Sequence, residues 1–407
     1  MINVSSLNNE INWKQVEQDY YMFCVRRQPI VIVRGKGSKV WDQNGKEYLD
    51  FVAGWAVNNV GHSNQDVANE IANQANTLLQ TSNQFYTIPQ LKLAQILIDN
   101  CCMDKIFFVN SGAEANEGAI KLARKFGKKN LNGAYEIITA TNSFHGRTLA
   151  TWAATGKPHV EDPFQPLPTG FIHVEYNNIE AVQKATTENT TAIMIEPVQG
   201  EGGVNIPTKA YLQAVRKWCD KKGILLIFDE VQTGMGRLGT LFGYESFGVE
   251  PDVITLAKGL GGGVPIGALL AKDFASVFEP GDHGSTFGGN ALACAAAFAS
   301  TKYLLDNNIV DNVNQTGEYL HAKLSELQVN KKQIVEVRGM GLLFAVQFSS
   351  EISADVIDVC NNLGLLLNAV SPDAIRLMPS LTISHAEIDE AMEKLEEGMK
   401  QVFKAIG

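Results

Sequence analysis

The stretch from Gly223 to Gly267 constrains this chain more than any other. It holds two short apolar runs, Ile224-Leu-Leu-Ile-Phe228 and Val253-Ile-Thr-Leu-Ala257, each opened or preceded by glycine or proline. Runs of this length and continuity suit strands of a parallel sheet buried on both faces. The first run ends on Asp229 and the second on Lys258. In an open α/β sheet the ligand crevice lies outside the carboxyl ends of the strands, so an acid and an amine would emerge there together. Such a pair suits pyridoxal phosphate, which needs a lysine for its Schiff base and an acid for its pyridine nitrogen. A solvated lysine and an N-cap aspartate would satisfy the same stretch, and the rest of the chain has to decide.

With 407 residues the chain exceeds one ordinary core, and two subdomains are expected. Met1–Gln28 reads as a polar arm followed by a short helix. Ile30–Val33, Lys39–Gly45 and Tyr48–Val52 read as a small antiparallel meander, with Asn44-Gly45 as its hairpin signal. An amphipathic helix with Val67, Ile71, Ala75 and Leu78 on one face follows, then a helix from Pro89 carrying Leu91, Leu93, Ile96 and Leu97. From Lys105 strand and helix signals alternate through Ile106–Val109, Glu136–Thr139, Phe171–Val174 and Ala192–Ile195, which predicts an α/β fold with a mainly parallel sheet covered on both faces. After Asn290 the pattern changes to two helices, strands at Ile334–Val337 and Leu342–Phe348, a helix, a strand at Ala374–Met378 and a closing helix bearing Ile388, Met392, Leu395, Met399 and Val402. The expected division is a large domain over 62–299 and a smaller α+β domain formed by 1–61 with 300–407.

The net charge of −10, without any Lys/Arg run, argues against nucleic acid or an anionic membrane as partner. Six scattered cysteines without CxxC spacing indicate reduced, cytoplasmic usage. The seven histidines form no ligand-like pair, so no metal is expected. The polar start (Asn3, Ser5, Ser6, Asn8, Asn9, Glu10) does not read as a cleavable signal, and the apolar run Ala291–Ala299 is too short to span a bilayer.

Four further segments follow strands or open helices. Asn110-Ser-Gly-Ala-Glu-Ala-Asn116 places small residues where backbone N–H groups and a helix dipole could meet an anion, although Ser111 also reads as a plain N-cap. In Asn142-Ser-Phe-His-Gly-Arg147, Phe144 could lie on a heteroaromatic ring and Arg147 could grip a carboxylate; Phe144 could equally be core. Glu196–Gly203 is glycine-rich after a strand, and Gly284–Asn290 offers two hydroxyls ahead of a helix. Gly234-Met-Gly-Arg-Leu-Gly239 matches the dinucleotide fingerprint GxGxxG, yet it begins four positions after the acidic pair and no amphipathic helix opens after it.

Taken together, the motifs from about Pro29 to the last helix resemble the class III, or ω-amino, aminotransferases of the fold-type-I pyridoxal-phosphate-dependent transferases, and within them the acetylornithine branch. The resemblance rests on Asn110–Glu117, Asn142–Thr148, Ile195–Val204, Asp229–Arg237, Ala257–Gly267 and Gly284–Asn290. It implies that Lys258 carries the cofactor and shuttles the proton, that Asp229 pairs with the pyridine nitrogen, and that Gln232 lies near the phenolic oxygen. Phe144 and Val231 would sandwich the ring, and Ser111, Gly112 and Ala113 would hold the phosphate, with Thr286 reaching in from the neighbouring subunit of a homodimer. Arg147 and Ser285 would address the distal carboxylate of the substrate, while Arg376 would bind the α-carboxylate of glutamate with Glu201 as its switchable partner. The implied reaction moves the distal amino group of N2-acetylornithine to 2-oxoglutarate, a step of arginine biosynthesis. Ornithine, succinylornithine and succinyldiaminopimelate are the alternative donors.

Three positions depart from the family pattern: Trp55 in place of a small aliphatic residue, Ser380 after Pro379 in place of a second proline, and Cys24–Gln28 without the usual aromatic. An aminomutase of the same fold is the competing enzyme class; the Arg376 and Glu201 pair argues against it, since a mutase never has to accommodate a second, dicarboxylate substrate. A catalytically silent relative would be expected to lose Lys258 or Asp229, and both are present.

Overall fold

A computed structural model describes residues 11–156 and 163–406; the polar residues Asn3 to Glu10 lie outside them. Its centre is a seven-stranded sheet in the order Lys105–Val109, Gly267–Ala271, Val253–Leu256, Leu225–Asp229, Thr190–Ile195, Glu136–Ala140, Phe171–Val174. The five strands from Val253–Leu256 to Phe171–Val174 pair in parallel. Gly267–Ala271 runs antiparallel to both of its neighbours.

The continuous apolar runs are explained by what covers each face. Ile137, Ala192, Met194, Leu225, Ile227 and Val253 join one cluster with Ala119, Leu122, Ala123 and Phe126 of the helix Gly112–Asn130. Their alternates Ile138, Ile193, Ile195, Leu226, Phe228 and Ile254 join the cluster on the other face with Leu212, Val215 and Cys219 of the helix Lys209–Lys222. Successive strand side chains point to opposite faces, so a strand buried on both faces lacks the regular polar alternation of a half-exposed one. Truncating a fully buried strand residue such as Phe228 to alanine would cost about 3–5 kcal/mol.

Two four-stranded sheets flank this core. The meander Ile32–Lys36, Lys39–Asp42, Glu47–Asp50 forms as expected around the Asn44-Gly45 turn, and Leu365–Leu366 adds to it in parallel. Ile334–Met340, Leu343–Phe348, Ala374–Leu377 and Asn368–Ser371 make the second, wholly antiparallel sheet. The closing helix His385–Ile406 buries Ile388, Met392, Leu395, Met399 and Val402.

The structure differs from expectation at three points. The helix Gln65–Ala75 ends before Leu78, because the Asn76 side chain donates to the Ala72 carbonyl and closes the last turn. Leu91 faces outward from Ile88–Ile98, whereas Leu93 and Leu97 are buried. The strand Gly267–Ala271 has no counterpart in the sequence reading; the connection from Val253–Leu256 is too short for a crossover helix, so the chain can only return antiparallel. No helix among the described residues is long and apolar enough to cross a membrane.

Candidate active site

The register of the central sheet pairs Asp229 with Thr255, three residues before Lys258, so acid and amine reach the same sheet end. Both line a cavity of about 500 Å³, within the range of small-ligand sites. Lys258 opens the turn Lys258–Gly261 with φ +43°, a left-handed conformation uncommon for a residue with a side chain and of the kind that collects at functional sites. Burial is the largest influence on its amine and favours the neutral form; the positive charge of Arg376 adds to this, and although Glu201 and Asp229 oppose it, the pKa is lowered.

Asp229 is held on three sides. Its Oδ2 accepts from Asn116 Nδ2 at 2.7 Å and meets His145 Nδ1 at 2.8 Å, while Oδ1 accepts the Val231 N–H at 3.0 Å. Asn116 is oriented in turn by Thr255 Oγ1, which donates to its Oδ1 at 2.6 Å. Burial alone would lower the His145 pKa, but the hydrogen bond and charge of Asp229, with Glu196 nearby, raise it. Glu196 also lines the cavity, accepting the N–H groups of Phe144 (3.1 Å) and Gly200 (3.4 Å). Its burial pushes the carboxyl pKa up to about 7, against the pull of His145.

The helix Gly112–Asn130, which carries Asn116, presents its N-terminus to the same cavity. Ser111 is its N-cap, accepting the Glu114 N–H at 3.2 Å, and Ser111, Gly112 and Ala113 all line the cavity. The N–H groups of the first turn have no intrahelical acceptor. A Cβ on Gly112 would stand 2.8 Å from Val231 Cγ1, so only glycine lets the helix end approach so closely. Phe144 and Val231 line the cavity as well, and exposed Arg147 stands at its edge with its guanidinium 5.8 Å from the Phe144 ring centre.

Glu201 and Gln232 also line the cavity. Arg376 lies behind them, fully buried, donating from Nη1 to Glu201 Oε1 (2.8 Å), Gly200 O (3.0 Å) and Gln232 Oε1 (3.2 Å). Gln232 Nε2 donates to the same Glu201 oxygen at 3.0 Å. Burial would raise the Glu201 pKa, but the charges of Arg376 and Lys258 and these hydrogen bonds hold it at about 2. Arg376 Nε and Nη2 are buried without a hydrogen-bond partner.

Ser285 and Thr286 do not join the others around the cavity. The Ser285 hydroxyl accepts from Asn110 Nδ2 at 3.1 Å, and Thr286 is exposed. Conversely, Asn116, His145 and Glu196 belong to the site without having been assigned a role from the sequence, although each sits inside a segment that follows a strand. Asn116 meets Asp229 and Thr255, His145 meets Asp229 and Glu196 meets Phe144, all from 52 to 139 positions away, and no local pattern encodes such pairings. Of the departures from the family pattern, Trp55 is exposed in the left-handed turn Ala53–Ala56, and Ser380 is buried with its hydroxyl on Asn59 O at 3.3 Å.

A mainly parallel sheet that brings a lysine and an acid to one end, facing a helix N-terminus, is the architecture of the fold-type-I pyridoxal phosphate enzymes. Within that class, the chain belongs to the class-III aminotransferase family, whose sequence pattern matches residues 22–399. It is 50% identical over 395 residues to the acetylornithine aminotransferase of Methanocaldococcus jannaschii, covering 97% of this chain and 99% of that one. Among solved structures it is similar to an ornithine aminotransferase of Toxoplasma gondii, with TM-score 0.92 and 33% identity over 98% of this chain and 96% of that one; that structure has pyridoxal phosphate at partial occupancy in its active site. It is also similar to the acetylornithine aminotransferase of Elizabethkingia anophelis, with TM-score 0.86 and 32% identity over 96% and 98% of the two chains.

Proposed function

We propose that this chain uses pyridoxal phosphate to transfer the distal amino group of N-acetylornithine to 2-oxoglutarate, giving N-acetylglutamate 5-semialdehyde and glutamate. The observation that carries this reading is the buried Arg376 paired with Glu201 at the cavity that also holds Lys258 and Asp229. The near full-length relationship to acetylornithine aminotransferases supports the choice of donor.

The residues present fit the cofactor. Gly112 and Ala113 offer helix N-terminal N–H groups and a close backbone approach for a phosphate, Asp229 offers a fixed carboxylate for the pyridine nitrogen, and Phe144 and Val231 flank the space between. When bound, pyridoxal phosphate supplies the electron sink for breaking a bond at the amine-bearing carbon. Asn116, His145 and Val231 keep Asp229 aimed, and Lys258 attaches the cofactor. Lys258 Nζ, with its pKa lowered, then takes and returns the proton at the substrate carbon. Gln232 holds Glu201 and Arg376 in place through its amide.

Glu201 and Arg376 serve two substrates in one pocket. N-acetylornithine presents a distal amine with no carboxylate beside the reacting carbon, and Glu201 neutralises the buried guanidinium during that half-reaction. Glutamate places its α-carboxylate there, and Glu201 swings aside so that Arg376 can take it. Arg147 at the mouth, with Ser285, addresses the distal carboxylate. Thr286, which does not line the cavity of its own chain, extends to the phosphate of the partner in a homodimer. The chain divides into a large unit over 62–299 and a small one from 1–61 and 300–407.

The test is a donor panel of N-acetylornithine, ornithine, succinylornithine and succinyldiaminopimelate, with 2-oxoglutarate as acceptor and glutamate as readout. Highest kcat/KM with N-acetylornithine supports the reading; preference for another donor, or isomerisation without glutamate formation, replaces it.

A further inference from the structure

The fingerprint-like segment Gly234–Gly239 lines no part of the cavity, and its arginine sits in an unusual place. Arg237 and Arg376 are the two largest side chains that are fully buried among the described residues. Arg237 Nη1 donates to Leu342 O at 2.9 Å and Pro379 O at 2.7 Å, and Nη2 donates to Asn59 Oδ1 at 2.7 Å. No carboxylate among the described residues pairs with it. Burying a guanidinium without a counter-ion is unfavourable, and burial, with Arg376 nearby, pushes its pKa down to about 9. An apolar side chain would fill this core without that cost, so the arginine has to be explained by what its fork holds.

The three acceptors share a geometry. Leu342 leads into the strand Leu343–Phe348, and Pro379 follows the strand Ala374–Leu377. These strands pair antiparallel with Phe344 opposite Leu377 and Ala345 opposite Arg376. Leu342 and Pro379 therefore lie at the same end of the ladder, and Nη1 clips the two chains together three residues beyond Arg376. The Arg237 backbone grips the same turn: its carbonyl accepts the Leu342 N–H at 3.0 Å, and a Cβ on Gly341 would stand 2.4 Å from that oxygen.

The third acceptor leads to the lysine. Asn59 is buried, donates to Met235 O at 2.8 Å, and receives Leu381 N–H at 2.8 Å and the Ser380 hydroxyl at 3.3 Å on its own carbonyl. A Cβ on Gly259 would stand 2.2 Å from Asn59 Nδ2, so Asn59 rests on the backbone of the residue next to Lys258. Arg237 thus connects the backbone beside Lys258 to the strand end that carries Arg376, and the Ser380 hydroxyl adds to this connection.

We propose that Arg237, acting with Asn59, is a positioning residue that sets where Arg376 stands relative to Lys258, and so governs the half-reaction that places a carboxylate on Arg376 more than the one that does not. The proposal rests on Arg376 being the carboxylate anchor. It differs from a purely structural staple, which would lower both half-reactions in proportion to lost stability.

The experiment follows the two half-reactions separately in the holoenzyme, by cofactor absorbance, with glutamate and with N-acetylornithine, alongside Tm. Arg237→Met should weaken the glutamate half-reaction at least tenfold more than the N-acetylornithine half-reaction, chiefly as a higher KM for glutamate. Arg237→Lys, which keeps the charge but loses the fork, should restore part of the difference. Asn59→Ser removes the Arg237 Nη2 acceptor while burying no new charge; it should show the same selective loss and decides the matter where Arg237→Met does not fold. Equal losses in both half-reactions, a larger loss with N-acetylornithine, or no loss in the folded variants would overturn the proposal. Arg376→Lys, measured in parallel, separates the two readings. If it spares glutamate, the carboxylate anchor is wrong and the Arg237 proposal falls with it. If it impairs glutamate while the Arg237 and Asn59 variants are unselective, only the Arg237 proposal falls.

Discussion

Arg376 and Glu201 share a 2.8 Å ion pair but sit in unlike surroundings: the arginine side chain has no exposed surface, while the glutamate side chain keeps 28% of its own. The guanidinium is fixed in an antiparallel strand and by two further acceptors, Gly200 O and Gln232 Oε1. Glu201 belongs to a turn at the cavity wall. Of the two partners, only the glutamate can move without disturbing the sheet.

Glu201→Ala should therefore change the two half-reactions in opposite directions. With its partner removed, Arg376 attracts carboxylates at all times, so glutamate and other α-amino substrates should react faster. N-acetylornithine should react at least about tenfold more slowly, a change of ~1.4 kcal/mol in the barrier. Single-turnover absorbance with each substrate measures both; equal losses would mean a permanent structural pair.

Lys258→Ala should retain the cofactor, because Asp229, Phe144 and the helix N-terminus remain, and should lose at least about a thousandfold in turnover as both attachment and proton transfer disappear. Borohydride reduction of the unmutated protein, followed by peptide mapping, should label Lys258. Label on any other lysine would contradict the assignment.

His145 gives a pH dependence with a defined sign. Its pKa is raised in the folded protein above the ordinary 6.5 because Asp229 stabilises the imidazolium against the effect of burial. The resulting stability is fully present below pH 6.5 and is lost as the pH rises through the folded value. The Tm difference between the parent protein and His145→Asn should accordingly be largest near pH 6 and shrink toward alkaline pH. A difference that stays flat or grows would show that the imidazolium is not the stabilising form.

Phe85, Tyr86, Ile88, Leu91 and Phe287 are exposed, as the proposed homodimer requires of a surface between copies of the chain. Sedimentation through a dilution series should show a dimer that loses activity as it dissociates, and Thr286→Ala should weaken cofactor retention without changing Tm in the cofactor-free state. Fully active monomers would exclude a shared site.

Much of this was legible in the chain itself. The runs ending at Asp229 and Lys258 are apolar except for Thr255 because both faces of their strands are covered, and that local property reports a central parallel sheet before any contact is known. Small residues at Ser111–Ala113 and the Asn44-Gly45 turn carry their conformations in their own chemistry. The strand Gly267–Ala271 was not read at all, because its short run of small and apolar residues follows a glycine-rich turn and only pairing between Val253–Leu256 and Lys105–Val109 makes it a strand. Nor could sequence show that His145 and Asn116 meet on one oxygen of Asp229, or that the arginine in a dinucleotide-like glycine motif turns away from any ligand to clip Leu342 to Pro379. Local composition determined the strands, turns and the identities of the reactive groups. Tertiary packing alone decided which of them meet, because hydrogen bonds across more than a hundred residues depend on the register of the sheet and leave no period in the sequence.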